Sequence, residues 1–159
     1  MPARGLSCAA ALGIGIIIFL LALIGAVMLW SYLYPPPLVV YAEMTRSALI
    51  DNGTQQLLAF SFIVASHMKE PAELVKVVAN VTTENGTRVL MTLSPGSPSV
   101  SVASVAASLA YSGDGPLPLP PGRTRTLYVN LTAPVDNPIV SVQFELVFVT
   151  SSGEVMTFT

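Results

Sequence analysis

The first part of the chain contains one long apolar run. From Cys8 to Trp30 no residue is more polar than glycine, and no charged residue occurs between Arg4 and Glu43. At about 1.5 Å per residue, a helix over this run extends roughly 35 Å, enough to cross a hydrocarbon core of about 30 Å. The apolar region of a secretory signal is shorter, at about 7–15 residues. The pattern therefore predicts a membrane-spanning helix.

Aromatic residues and prolines follow the apolar run. Trp30, Tyr32 and Tyr34 form the aromatic belt that is typical of a helix leaving a bilayer. The three prolines at 35–37 cannot continue a helix and favour a stiff extended segment, so they are predicted to form a linker. Arg4 and the terminal amine are the positive charges before the helix, which favours a cytoplasmic N-terminus.

Small residues recur at a spacing of four along the helix. The pairs are Ala9 and Gly13, Ala11 and Gly15, and Ala22 and Ala26. Such a spacing lets neighbouring helices approach closely, which favours a helix that packs on other helices. The alternative is that alanine and glycine are simply common in membrane helices, and the sequence leaves both interpretations open.

Residues 38–159 carry a different pattern, in which apolar and polar residues alternate or form short apolar runs. The predicted strands cover 57–66, 75–82, 87–93, 126–132, 139–149 and 154–159. The inward-facing side chains predicted for the strand over 139–149 are Val140, Val142, Phe144, Leu146 and Phe148. Turns are predicted at 84–86, where Glu-Asn-Gly is a strong hairpin signal, and at 151–153.

The segment over 99–111 is ambiguous. Its apolar phase slips near Ala103, which indicates a β-bulge, while its alanine content also allows a helix. Seven or eight short strands separated by Pro- and Gly-rich turns predict an antiparallel β-sandwich of immunoglobulin-like type. Because no cysteine follows Cys8, this domain has to hold together without disulfides, and about 120 residues can bury a core large enough for that.

Composition narrows the classes of partner. The chain has 159 residues, of which 52% are hydrophobic and 10% are charged, and its formal net charge is -2. In ordinary soluble proteins roughly a quarter of all residues are charged, so a chain with this low a charged fraction is not a disordered acidic or basic tail. The seven Lys and Arg residues are spread from Arg4 to Arg125 and form no phosphate-binding stripe. Nucleic acid is therefore not an expected partner.

Nearly all asparagines in the chain lie in N-x-Thr sequons, the acceptor signal for N-glycosylation. The sequon asparagines are Asn52, Asn80, Asn85 and Asn130, and only Asn137 lies outside one. The alternative is that these tripeptides occur only because Asn, Gly and Thr are common in turns and strands. We favour glycosylation because so complete a placement is improbable by chance, and because Asn80 and Asn130 fall on the polar faces of their predicted strands.

No catalytic or metal-binding constellation stands out. His67 is the only histidine and is predicted to lie at the surface, and Asp51, Asp114 and Asp136 lie in turns without the spacing of a calcium loop. A lipid-acceptor cysteine follows its apolar run, whereas Cys8 precedes this one, so Cys8 is predicted as a small apolar residue of the helix. We therefore expect no enzyme activity, metal or cofactor.

The N-terminus resembles the processing site of archaeal type IV pilin-like proteins. Residues 3–7 read Ala-Arg-Gly-Leu-Ser and lead directly into the apolar helix. In that family a dedicated signal peptidase cuts after the glycine on the cytoplasmic side and leaves the helix in the mature protein. The resemblance implies cleavage between Gly5 and Leu6 of a leader at 1–5, a hydrophobic helix at 6–34 in a filament core, and an extracellular β-domain at 38–159.

The resemblance makes a filament subunit the leading hypothesis. The protein would be a single-pass membrane precursor with a cytoplasmic N-terminus, and later part of an archaeal surface filament for adhesion or motility. Its partners would be copies of itself in a helical homopolymer, the prepilin signal peptidase and assembly machinery, and the membrane before assembly. The alternative is an uncleaved single-pass accessory or binding subunit of a larger membrane or cell-surface complex. Cleavage after Gly5 and self-assembly distinguish the two.

Overall fold

The fold was obtained as a computed structural model, which describes residues 8–34, 37–50, 53–112 and 119–159. The chain divides into two units, Met1–Pro36 and Pro37–Thr159. The first contains the helix α1 (Cys8–Leu33). Within the described residues, one helical segment is long and apolar enough to cross a membrane, namely Gly13–Leu33. Length and composition alone support that conclusion.

Helix α1 is apolar on every side. Its large side chains between Ile14 and Leu33 are all exposed, for example Leu21 at 63% and Met28 at 70%. At the C-terminal end the N–H of Tyr34 donates to the carbonyl of Trp30 at 2.8 Å, and the two rings lie 4.6 Å apart. The predicted aromatic belt therefore begins in the last turn of the helix.

The second unit consists of β-strands in its described part. They are β1 (Leu38–Ile50), β2 (Gln55–Ser66), β3 (Ala72–Thr83), β4 (Arg88–Leu93), β5 (Ser99–Val102), β6 (Val105–Tyr111), β7 (Thr124–Pro134), β8 (Ile139–Thr150) and β9 (Val155–Phe158). They form a five-stranded sheet in the order β1-β2-β7-β6-β5 and a four-stranded sheet in the order β4-β3-β8-β9. All neighbouring strands are antiparallel. The prediction of an apolar helix followed by an antiparallel β-sandwich is confirmed.

The core lies between the two sheets and comes from alternate residues of their strands. Its largest fully buried side chains include Phe62, Phe148, Leu74, Met91, Leu127 and Leu131. Phe144 on β8 contacts Phe60 and Phe62 on β2 edge to face, with ring centroids 4.9 and 5.0 Å apart. These contacts join the two sheets, because β2 and β8 belong to different ones.

The prediction that Val140 faces inward is wrong. Val140 is 61% exposed, whereas Ile139 before it is 6% exposed. In the pairing of β3 with β8, Thr82 lies opposite Ser141 and Thr83 opposite Ile139, so Val140 is an extra residue at a β-bulge. The bulge shifts the alternation by one position, and the other four residues predicted inward do lie on the core side, as buried or half-buried side chains.

The segment over 99–111 is neither a bulged single strand nor a helix. It is a hairpin of β5 and β6, in which Val102 pairs with Val105. The two residues between them, Ala103 and Ser104, have positive φ angles of 47° and 66°. This is the conformation of a two-residue hairpin turn, which normally selects glycine or asparagine, so Ala103 and Ser104 carry no recognisable turn signal.

Two further elements were not predicted. Strand β1 has no apolar alternation, and its residues 41–47 are exposed on both faces. Leu119 lies between two prolines in the sequence, which is typical of a loop, yet it is completely buried. Its N–H donates to the carbonyl of Ala72 at 2.7 Å, and the N–H of Ala72 donates back at 3.2 Å. This pair attaches the segment to the start of β3.

Candidate functional site

The predicted site residues fall into three groups. Gly5, Leu6 and Asn52 lie outside the described residues. Ala9 and Ala11 belong to helix α1, but their side chains are outside the described part. The remaining ones are Gly13, Gly15, Ala22 and Ala26 on the helix and Asn80, Asn85 and Asn130 on the β-domain. Asn80 lies on β3, Asn85 lies in the turn after β3, and Asn130 lies on β7 in the other sheet, so they form separate candidate modification sites.

Asn85 lies in the turn between β3 and β4 and is exposed. Its side-chain Oδ1 accepts from the N–H of Thr87 at 2.9 Å and from the hydroxyl of Thr83 at 2.9 Å. Gly86 provides the positive φ of 82° that the turn requires. Both hydrogen bonds use Oδ1, so they can persist when a sugar is attached to the side-chain nitrogen.

Asn80 lies on β3, an interior strand of the four-stranded sheet. It pairs with Leu90 on β4 and Gln143 on β8, and its side chain is exposed on the outer face. Thr82, the hydroxyl residue of the sequon, is two residues further along and therefore points to the same face. The directly opposite Leu90 is 66% exposed.

Asn130 lies on β7, an interior strand of the five-stranded sheet. It pairs with Ala59 on β2 and Ser108 on β6, and it is half-buried on the outer face. A shallow depression of about 280 Å³ surrounds it. Small and hydroxyl side chains line this depression, including Ser99, Ser101, Ala106, Ser108 and Thr132.

The remaining asparagine has a structural role. Asn137 lies in the turn between β7 and β8, and its side-chain oxygen accepts from the N–H of Asn85 at 3.1 Å. The carbonyl of Pro138 next to it accepts from the N–H of Glu84 at 2.9 Å. These two bonds join the β3–β4 turn to the β7–β8 turn, which accounts for an asparagine outside any sequon.

The glycines of the helix are not needed for packing within the chain. A Cβ atom added at Gly13, Gly15 or Gly25 meets no heavy atom within 4 Å apart from the helix's own backbone and adjacent residues. Glycine is also an unfavourable residue in a helix interior, by about 1 kcal/mol relative to alanine. Contacts within this chain therefore do not explain these positions.

The residues considered for catalysis are dispersed. His67 follows β2 directly and is exposed, and its N–H donates to the carbonyl of Pro37 at 2.9 Å. Asp136 is exposed in the β7–β8 turn, whereas Asp51 and Asp114 lie outside the described residues. Among the residues that the structure describes, no three His, Cys, Asp or Glu side chains come together as metal ligands.

Sequence reasoning missed a polar cluster at the β8–β9 turn. The carboxylate of Glu70 accepts from the hydroxyls of Ser151 and Ser152 at 2.6 and 2.8 Å and from the N–H of Ser152 at 3.1 Å. The two hydroxyl hydrogen bonds hold the pKa of Glu70 below its ordinary value. Glu70 and Ser151 are 81 positions apart, so no local pattern could reveal this contact.

Comparisons with known proteins support the fold. No family model and no curated protein matches the chain. Among solved structures, it is similar to the X-ray structure of the structural-genomics target SoR45, with a TM-score of 0.52 at 14% identity over 78% of this chain and 81% of that one. It is also similar to the putative ApaA protein from Bordetella pertussis, with a TM-score of 0.48 at 17% identity over 76% and 85% of the two chains. At 14% identity, the similarity to SoR45 establishes the fold alone.

Proposed function

We propose that this protein is a structural subunit of an archaeal type IV pilus-like surface filament, used for adhesion or motility. The observation that carries the proposal is that helix α1 exposes large apolar side chains on every side. A helix of this kind is stable only when it is surrounded completely by lipid or by other helices. Both environments occur in the life of such a subunit, first the membrane and then the filament core.

The large exposed apolar area of helix α1 favours its burial against other helices. Apolar surface in contact with water costs about 25 cal/mol per Å², so a helix that leaves the bilayer has to bury itself against copies of the same helix. The small residues Gly13, Gly15, Ala22 and Ala26 permit close approach between such helices. A contact that repeats head to tail without closing generates a helical filament.

The residues before the helix agree with this function. Arg4-Gly5-Leu6-Ser7 resembles the processing site of the pilin-like family, and cleavage after Gly5 would leave the whole of α1 in the mature chain. The proposed partners are therefore copies of the chain, the prepilin signal peptidase, the assembly machinery, and the membrane before assembly.

We further propose that the β-domain lies on the outside of the filament, is N-glycosylated and has immunoglobulin-like topology. The exposed sequons of Asn80 and Asn85 support glycosylation. The strand orders β1-β2-β7-β6 and β4-β3-β8-β9 correspond to A-B-E-D and C′-C-F-G of immunoglobulin-like domains, with β5 as an added edge strand.

Mass spectrometry of the intact protein and of its N-terminal peptide, from its native cell surface, tests this function. We expect a chain that begins at Leu6 and carries hexose-rich mass at the sequons. Gly5→Val should block cleavage and filament formation, whereas the control Ala3→Val should leave both intact. A native chain that retains residues 1–5 would overturn the filament and leave the uncleaved membrane-anchored accessory subunit.

A second test addresses the helix surface. Gly15→Leu places a large side chain where close packing of helices needs a small one, so it should abolish filaments seen by electron microscopy. Ile17→Leu, which conserves side-chain volume, serves as the control and should assemble normally. Filaments of normal abundance from Gly15→Leu would show that this glycine has no role in assembly.

A further inference from the structure

We infer that Tyr128 is the surface on which the sugar attached to Asn130 rests. The first sugar of this glycan stacks on the exposed ring of Tyr128, which lies two residues earlier on the same strand. The inference rests on the proposed function only in so far as that function includes a glycan on Asn130. It is independent of cleavage after Gly5 and of filament assembly.

Tyr128, Asn130 and Thr132 lie on the outer face of β7. The residues that alternate with them point into the core and are at most 1% exposed, namely Leu127, Val129, Leu131 and Ala133. Side chains two positions apart on a strand share a face and are about 7 Å apart along it. A sugar attached to the side-chain nitrogen of Asn130 therefore begins directly beside the ring of Tyr128. Thr132, the hydroxyl residue of the sequon, lies on the other side of Asn130.

Tyr128 is a large exposed side chain between small ones. It is 41% exposed although β7 is an interior strand. Directly opposite it lie Ser61 on β2 and Ala110 on β6, which are too small to cover the ring. Among the residues that the structure describes, no other aromatic ring contacts Tyr128, and its hydroxyl has no hydrogen bond. The ring therefore has apolar surface available for a ligand.

The side chains directly beside Asn130 are small as well. They are Ala59 on β2 and Ser108 on β6. No long side chain from a neighbouring strand therefore lies directly beside the acceptor nitrogen, and a sugar can lie low against the sheet. In this position it can turn one face towards the ring of Tyr128.

The attached sugar has the chemistry that an aromatic ring binds. Attachment forms a bond between Nδ2 of Asn130 and C1 of the sugar, and it breaks the bond from C1 to a phosphate oxygen of the donor, a lipid-linked oligosaccharide. The phosphate leaves with the electron pair of that bond, and Nδ2 loses one of its two protons. The bound pyranose carries C–H groups on its face, which stack on an aromatic ring and remove apolar surface of both from water.

The depression on the other side of Asn130 is a weaker place for the sugar. Its exposed hydroxyl side chains include Ser99, Ser101 and Ser108. In the absence of a sugar, water forms hydrogen bonds with these hydroxyls, so an exchange of water for sugar hydroxyls gains little. Stacking on Tyr128 replaces contacts of water with apolar surface, so the ring is the favoured site.

The other described sequons do not have this arrangement. The residue two positions before Asn80 is Val78, and the residue two positions before Asn85 is Thr83, which is 2% exposed. Among the described sequons, Asn130 alone follows an exposed aromatic ring at this spacing. Its glycan is therefore held along the sheet, and the contact stabilises the folded domain because only folded β7 fixes the two side chains side by side.

A double-mutant cycle on the full chain from its glycosylating host tests the inference. Tyr128→Leu removes the ring, and Thr132→Val removes the sequon with little change in shape. We expect Tyr128→Leu to raise the unfolding equilibrium constant at least about twofold more in the glycosylated chain than in the Thr132→Val background. Urea titrations in detergent provide the constants, and peptide mass spectrometry checks the sugar at Asn130 in each sample.

Two control variants keep the test specific. Tyr41→Leu removes another exposed tyrosine from the same sheet, on β1 opposite Ile63, so it should have the same effect in both backgrounds. Tyr128→Phe keeps a ring and should keep the difference between the backgrounds.

NMR spectroscopy of the glycosylated chain gives a readout that stability alone does not. Protons held over the face of an aromatic ring are shielded by its ring current. Protons of the sugar on Asn130 should therefore be shifted upfield in the native chain, and this shift should disappear in Tyr128→Leu. Circular dichroism checks that each variant is folded.

The possible outcomes separate the inference from the proposed function. A sugar on Asn130 whose proton shifts and stability effect do not change with Tyr128→Leu would overturn the contact and leave glycosylation standing. Sugar at Asn80 or Asn85 with none at Asn130 would also overturn the inference alone. Absence of sugar from every sequon would refute the glycosylation in the proposed function and the inference with it.

Discussion

Helix α1 and the β-domain hold their apolar residues in opposite ways. Leu21 in the helix is 63% exposed, whereas Leu74 on β3 is 1% exposed and contributes to a core formed between two sheets. The domain therefore carries the interactions that stabilise it within its own residues. The described side chains of the helix are exposed, apart from the ring contact between Trp30 and Tyr34 at its C-terminal end, so its stability depends on what surrounds it. The same residue type has different energetic consequences in the two regions.

Replacing the same side chain in each region should show the largest effect. Leu74→Ala leaves a cavity in the core, so it should lower the free energy of unfolding of the domain by about 2–5 kcal/mol. Leu21→Ala should change that free energy by less than about 0.5 kcal/mol. The measurement is a urea titration of the full chain in detergent, followed by circular dichroism of the β-sheet signal. Equal effects of both variants would show that the two regions unfold as one unit.

Glycine-to-alanine changes should have opposite signs in the two regions. Gly86 has a φ of +82°, so Gly86→Ala should destabilise the β3–β4 hairpin by about 1–2 kcal/mol. Gly13 lies in the helix with free space around it, so Gly13→Ala should stabilise the helix by about 1 kcal/mol. Amide hydrogen exchange in detergent should show about fivefold faster exchange in the hairpin and about fivefold slower exchange in the helix. Effects of the same sign would contradict the assigned backbone conformations.

The β5–β6 turn offers a stabilising change within the domain. Ala103→Asn together with Ser104→Gly places residues suited to positive φ at both turn positions and creates no new sequon. We expect a gain of about 1 kcal/mol, seen as a higher thermal midpoint in calorimetry. Ser101→Asn, an exposed residue on β5, serves as the control and should leave the midpoint unchanged. A double variant no more stable than the native chain would argue against the turn.

The smallest effect concerns pH. The pKa of the Glu70 carboxyl is lower in the folded protein than in the unfolded chain. Its contribution to stability is therefore fully present at pH values above its unfolded-state pKa, and it disappears as the pH falls through its folded-state pKa. The stability difference between the native chain and Glu70→Gln should therefore shrink as pH is lowered from neutral to strongly acidic values. Urea titrations across this range provide the measurement. A difference independent of pH would show that the hydrogen bonds to Ser151 and Ser152 do not depend on the charge. Helix α1 (Cys8–Leu33) contains no carboxylate, so it has no comparable pH-dependent contribution to stability.

Features of this fold that depend on neighbouring residues in the sequence could be predicted, and features that depend on distant residues could not. The helix and strands such as β2 and β7 follow from apolar periodicity, and the β3–β4 turn follows from Asn85-Gly86. The inward assignment of Val140 failed because a bulge depends on the partner strand. The turn at Ala103 and Ser104 escaped prediction because tertiary pairing imposes a conformation that these residues do not favour.

The candidate sites too could be predicted only as far as they depend on local sequence. The positions of Asn80 and Asn130 are visible in the sequence, but their neighbours Leu90 and Ser108 follow only from strand register. Strand β1 and the buried Leu119 carry no local signal, because pairing with distant residues places both. The contact between Glu70 and Ser151 likewise joins two segments that lie 81 positions apart in the sequence.

The way β1 follows the linker has a mechanical consequence. The strand is held to β2 by twelve residue pairs in an antiparallel ladder that extends from Leu38 to Ile50. A pulling force applied at Leu38 along the strand axis is therefore shared by many hydrogen bonds at once, so the strand has to slide rather than peel. For a force in this direction, the first strand of the domain is a strong tether.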